Sequence, residues 1–205
     1  MFPGVSKCPV FPTEVVFALD MSSDISELEF ERMRDILLSL LVRLEISESN
    51  CPKGARVAVV AYNNKIDYLI RFSDYRRKPA LLQAVQKIPL KRSSGSRNLG
   101  DAMRFVARHV FKRVRSGLLT RKVAVFFQAG WAHGADSIST ATLELSALDV
   151  IPAVISFTEE HNLPDALVVC GGVPGGQGNW AVSAWSLPLH QGPHEVWELF
   201  RERIS

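Results

Sequence analysis

Cysteine is scarce in this chain: Cys8, Cys51 and Cys170 are the only three in 205 residues. Three thiols cannot staple a disulfide-rich scaffold, and an odd number allows one bridge with one thiol left over. There is no Cys-x-x-Cys pair and no Cys/His group at zinc-finger spacing, so a structural zinc does not organise the fold. Long apolar runs are missing too. Stretches such as "VAVFFQ" fall far short of the roughly 20 residues a membrane helix needs, so no membrane insertion is expected. The first residues, "MFPGVSKCPV", lack the apolar core of a secretory signal, so secretion is not legible in this stretch. Neither a Gly-X-Y repeat nor an Asn-x-Ser/Thr sequon occurs.

What is present is a well-supplied core. Apolar residues make up 47% of the chain and charged residues 22%, the balance of one soluble domain. The net charge of +3 hides an uneven distribution: residues 71–122 carry 15 of the 24 Lys and Arg and only two acids, Asp74 and Asp101. The segments before and after are acidic. That asymmetry suits a polyanion or an acidic protein surface, and equally an ordinary solvated face.

The order of elements alternates. "EVVFALD" reads as a buried parallel strand. "SELEFERMRDILLSLLVRLEIS" reads as a long helix with a Ser26/Glu29 capping box and Leu28, Met33, Ile36, Leu37, Leu40, Leu41 and Leu44 on one side. After "CPKG" come the strand "ARVAVVAYNN" and "IDYLIRF", an alternating edge strand expected to return antiparallel through Asn63-Asn64. "KPALLQAVQKI" is a short helix. "NLGDAMRFVARHVFKRV" is a single helix with His109 among its packed positions. "RKVAVFFQ" is a buried strand, "DSISTATLELSAL" a helix and "VIPAVISF" a strand. Such alternation predicts an α/β fold, a doubly wound, mostly parallel sheet flanked by helices with one antiparallel edge strand. Ligands bind such sheets beyond the carboxyl ends of the strands, where Asp20 and Gln128 fall. Further on, "WAVSAW" has a strand pattern and "HEVWELFRERI" that of a terminal helix.

The segments "CPVFPTEVVFALD", "ERMRDILLSLL", "ESNCPKGARVAVVAYNN", "RFSDYRRKPALLQAVQKI" and "AMRFVARHVFKRVRSGLLTRKVAVFFQ" resemble the von Willebrand factor type A domain, and within that family the carboxy-terminal A domains of type VI collagen alpha chains. The resemblance covers residues 8–170 and leaves 171–205 as a divergent tail. It implies a Rossmann-like fold in a secreted, extracellular-matrix chain that works by adhesion or assembly, with matrix or collagen-chain proteins as partners, and not by catalysis. The alternative is a truncated or non-secreted, cytoplasmic fragment that binds an acidic protein or polyanion through its basic face.

The resemblance also implies a metal-ion-dependent adhesion site, and the chain departs from its pattern. Asp-x-Ser-x-Ser becomes Asp20-Met21-Ser22-Ser23-Asp24, Ser96 stands four residues before Gly100 in place of a threonine, and Ala129 replaces the expected aspartate after "VAVFF". Mg²⁺ needs an octahedron of oxygens, and Ala129 offers none. Asp20, Ser22, Asp24 and Ser96 are therefore the ligands of a degenerate site, empty or at most weak for Mg²⁺ or Ca²⁺; no cofactor is required.

Two further expectations concern partners and covalent structure. Arg104, Arg108, Lys112 and Arg115 follow one helix face and are the candidate partner-binding residues, for an acidic protein or a glycosaminoglycan. Nucleic acid is not expected, since no recognition motif or aromatic stacking series accompanies the charge. Enzyme readings fare worse. No histidine is paired with Ser or Cys as a nucleophile's base, and the glycines at 171–178 have no lysine after them and do not join a core strand to a helix. Cys8 lies seven residues before Val15 and Cys51 six before Val57. If those strands are parallel neighbours, similar run-ins bring the two within bridging distance. A Cys8–Cys51 disulfide is therefore expected in an oxidising compartment, with Cys170 spare.

Overall fold

The computed structural model describes residues 12–47, 54–91, 95–111, 120–130, 135–157 and 183–186. Six strands form one sheet in the order β3-β2-β1-β4-β5-β6. The strands are β1 (Thr13–Asp20), β2 (Ala55–Tyr62), β3 (Ile66–Ile70), β4 (Arg121–Gln128), β5 (Val150–Ser156) and β6 (Ser183–Ser186). All neighbours run parallel except β3, which returns antiparallel at the edge beside β2. The turn is tightened by the Asn63 side chain, whose Oδ1 accepts from the Lys65 amide at 2.7 Å. The "WAVSAW" strand pattern is realised as β6, parallel to β5 with Ala153 opposite Ser183.

The middles of the central strands are continuously apolar because both faces are covered. Val15, Phe17 and Leu19 of β1 point to one side, and Val16 and Ala18 to the other, as the period of two requires. On the first side lie α1 (Glu27–Arg43) and α2 (Lys78–Gln86); on the second lie α3 (Leu99–Phe105), a π-helical turn (Val106–Val110) and α4 (Ala135–Ser146).

Helix α1 begins where the sequence signals it. Ser26 Oγ accepts from the Glu29 amide at 3.2 Å, and Glu29 Oε2 accepts from the Ser26 amide at 2.8 Å. Phe30, Met33, Ile36, Leu37, Leu40 and Leu41 are its buried stripe, each contributing about 1.5–3 kcal/mol by burial. Leu28, expected on that stripe, is instead 75% exposed. Two residues are about 200° of helical rotation, so Leu28 lies opposite Phe30. The helix stops at Arg43, Leu44 turns extended, and Ile46 bridges to Ala55. The chain then re-enters through Gly54 at φ 86°, where a Cβ would sit 2.9 Å from the Ser47 amide nitrogen. Only glycine fits there.

The single long helix expected after the polar loop is not continuous. Its α-helical part ends at Phe105, and residues Val106–Val110 continue with wider π-type turns. The extra residue per turn rotates the side chains of this stretch relative to an unbroken α-helix. Val106, Ala107 and Val110 are buried, as helical spacing from Leu99, Ala102 and Met103 already implies, while His109 is exposed instead of packed in the core; its ring meets Phe105 at 5.0 Å between centroids, and its carbonyl accepts from the Tyr68 hydroxyl at 3.1 Å. Helix α3 lies close against α4: a Cβ on Gly100 would strike the Ser137 side chain.

Candidate functional site

Asp20 ends β1 and is fully buried, beside its register partner Tyr62 at the end of β2. Tyr62 is itself buried, with its hydroxyl donating to the Phe127 carbonyl at 2.7 Å. Burial and the neighbouring Asp20 charge push its phenol well above its ordinary value, with Arg97 pulling the other way. Tyr62 is therefore a neutral floor beneath the site.

Above that floor the loop after β1 turns back on itself. Asp20 Oδ1 accepts from both the amide and the hydroxyl of Ser22, at 3.0 and 2.6 Å. Asp20 Oδ2 accepts from the Ala129 amide at 3.1 Å, which ties in the end of β4, and from Nε of Arg97. Arg97 arrives from the loop before α3. Its Nη2 donates to Ser22 Oγ at 2.9 Å and to Asp24 Oδ1 at 3.0 Å. The Arg97 side chain is only 4% exposed, whereas that of Asp24 is 65% exposed.

The electrostatics derive from this enclosure. Burial works to lower the Arg97 pKa, but the carboxylates of Asp20 and Asp24 outweigh it and hold the guanidinium charged. For Asp24, burial raises the pKa, yet the Ser22 hydroxyl and the Arg97 charge bring the net value below the ordinary carboxylate range.

Of the four ligands expected from sequence, Asp20, Ser22 and Asp24 meet around one point. Ser96 is exposed, and its neighbour Arg97 enters the site. Ala129 is 9% exposed and contributes its amide, not a side-chain oxygen. Gly130 makes room: a Cβ there would lie 2.5 Å from Arg97 Nη1. Gln128 turns its amide nitrogen to the Gly130 carbonyl, and its Oε1 is buried with no hydrogen-bond partner among the described residues. Sequence reading passed over Arg97. The usable signal was a basic residue next to an expected ligand position, in a chain with Ala129 where a carboxylate was expected.

The residues present do not fit a divalent ion. A carboxylate has about four acceptor positions, and Asp20 fills four with the Ser22 amide, the Ser22 hydroxyl, the Ala129 amide and Arg97. Among the described residues no group of three or more His, Cys, Asp or Glu is arranged to hold a metal.

The basic helix face is partly spent. Arg104 pairs with Asp101 at 3.2 Å and Arg108 with Glu144 at 2.5 Å. The Glu144 contact holds its carboxyl below the usual range, chiefly through the Arg108 hydrogen bond. Lys112, Arg115, His133, all three cysteines, the glycines at 171–178 and the terminal helix pattern lie outside the described residues.

The profile of the von Willebrand factor type A domain matches residues 14–186, from β1 through β6. The chain belongs to that family. This A domain is 71% identical to mouse collagen alpha-4(VI) chain over 82% of its length, and 52% identical to human collagen alpha-5(VI) chain over 75%. It spans only 7% and 6% of those chains. Chicken matrilin-1 is 28% identical over 78% of the A domain, which spans 32% of it. Among solved structures, proximal thread matrix protein 1 from the mussel byssus, with a zinc-occupied MIDAS motif, superposes with TM-score 0.70 at 12% identity, covering 96% of this chain and 48% of that one. Manganese-loaded Plasmodium vivax TRAP protein gives 0.71 at 15%, covering 94% and 73%. At such identities these two share the fold alone.

Proposed function

We propose that this A domain is a non-catalytic protein-interaction module of the extracellular matrix, in a collagen VI-like chain, acting in adhesion or assembly through contacts that need no divalent cation. The observation that carries the reading is the pairing of 71% identity to a collagen VI chain with an adhesion site in which Asp20 is saturated by protein donors. Matrix or collagen-chain proteins are the partners this favours, and the same relatives favour an extracellular location. The carboxyl ends of the strands, where such sheets bind ligands, hold a closed ion-pair network and no nucleophile with a base beside it among the described residues, which favours binding over chemistry.

The test is surface plasmon resonance of the purified domain against collagen VI preparations and a panel of other matrix proteins, in Mg²⁺ and in EDTA. Saturable binding of equal affinity in both buffers is expected. Binding abolished by EDTA, or no saturable matrix ligand at all, defeats the reading.

A further inference from the structure

We propose that Arg97 is the resident cation of this domain: its guanidinium stands where a divalent ion would, and ties the loop before α3 to the loop after β1 without one. This goes beyond the matrix reading and is independent of which partner the domain binds.

Three observations converge. The guanidinium reaches Asp20, Ser22 and Asp24 together, which are the side-chain oxygens of the loop after β1 that a metal would use. It is enclosed, at 4% exposure, next to a carboxylate that is wholly buried. The far wall is cut to its shape: Gly130 has no Cβ, where one would lie 2.5 Å from Nη1 and 2.9 Å from Cζ, and Ala129 has no carboxylate to crowd or over-neutralise it. A buried carboxylate must be paired with a cation or protonated. Asp20 obtains its cation from the chain itself, so its charge is compensated at any metal concentration.

Two consequences distinguish this from a merely damaged metal site. A damaged site would still recruit Mg²⁺ weakly and be stabilised by it, whereas one filled by a guanidinium is indifferent to Mg²⁺. An enclosed guanidinium also leaves no open coordination position to receive a partner's carboxylate. Restoring the missing carboxylate alone, by Ala129→Asp, then yields another ion pair to Arg97 and not a metal site.

The experiment combines thermal unfolding with calorimetric Mg²⁺ titration of the wild-type domain, Arg97→Ala, Arg97→Lys and Ala129→Asp, each in EDTA and in millimolar Mg²⁺. Wild type and Ala129→Asp are expected to show no Mg²⁺-dependent shift in Tm and no binding heat. Arg97→Ala, with its two carboxylates uncompensated, should melt lower in EDTA and gain about 4–8 °C with Mg²⁺, by mass action on the folded state. Low-millimolar guanidinium, which can enter the vacated space, should raise its Tm as well, a rescue that lost packing would not show. Arg97→Lys should be less dependent on Mg²⁺ than Arg97→Ala. If Arg97→Ala is unfolded in EDTA and recovered by Mg²⁺, the proposal holds in stronger form. A Mg²⁺ response of the wild type, or an Arg97→Ala protein that responds no more than wild type or stays unfolded in both media, overturns it.

Discussion

Arg56 grips Glu14 across the β1–β2 pair: the two are register partners, Glu14 is wholly buried, and Arg56 Nε donates to its two carboxylate oxygens at 2.8 and 3.0 Å. Arg56 also lies over the Phe72 ring, 5.4 Å from its centroid. An ionised carboxylate at the amino end of a central strand is tolerated because its cation comes from the neighbouring strand. Deleting one partner strands the other, so Arg56→Ala should cost about 3 kcal/mol, the lower end for a buried pair because Arg56 is partly exposed. Replacing both with Val and Leu should cost far less. Urea unfolding of the two variants reads the difference, and equal losses would mean that packing against Phe72 dominates.

The acid response of the loop after β1 has a defined sign. Asp24 has its pKa lowered in the folded state by Ser22 and Arg97, against the raising effect of burial. Its contribution is therefore fully present above the unfolded value of about 3.9 and is lost as pH falls through the lower folded value. Because Asp24 is 65% exposed, the contribution is screened to about 1 kcal/mol or less. Asp24→Asn should be slightly less stable than wild type at pH 6 and indistinguishable from it once the pH falls below the folded value. A difference that persists unchanged in acid would locate its origin elsewhere.

The basic helix face should bind polyanions weakly. Arg104 and Arg108 already face Asp101 and Glu144, and exposed pairs are worth little and are screened by salt. Changing Arg104, Arg108, Lys112 and Arg115 together to Gln should reduce retention on a heparin column, with the loss greatest at low salt. Glu144→Gln, which releases Arg108, should increase it. Identical elution of all three proteins would reduce the face to ordinary solvation.

A bridge between Cys8 and Cys51 remains the expected covalent link after secretion. Both cysteines lie outside the described residues, but the strands that come after them are parallel neighbours in register, Val15 opposite Val57. Closing a loop of about forty residues would stabilise the fold by about 3–4 kcal/mol on the chain-entropy account. Non-reducing peptide mapping of protein secreted from eukaryotic cells should find the 8–51 pair and a free Cys170. Another pairing, or three thiols, would remove the link.

Much of the architecture was legible in the sequence because it rests on local chemistry and on pattern. Fully apolar runs such as "VAVFF" require cover on both faces, Ser26 and Glu29 cap each other within one turn, and Asn63 shapes its own turn. That Ala129 carries no side-chain oxygen was equally visible, since it is a matter of which atoms exist. What sequence could not supply was a local change of helix phase. Leu28 falls opposite the buried stripe by plain α-helical rotation from Phe30, so its exposure was legible; His109 is at near-helical spacing from the packed positions, and the π-type turn at Val106–Val110 goes with its exposure.

The identity of the site's cation was likewise decided by tertiary structure. Ser96 and Arg97 are consecutive, so composition and spacing cannot tell which of them faces Asp20, 77 positions before Arg97. The fold chooses: the loop entering α3 exposes the hydroxyl and buries the guanidinium, because a buried carboxylate at the end of β1 needs a charge, and Gly130 leaves the space for one.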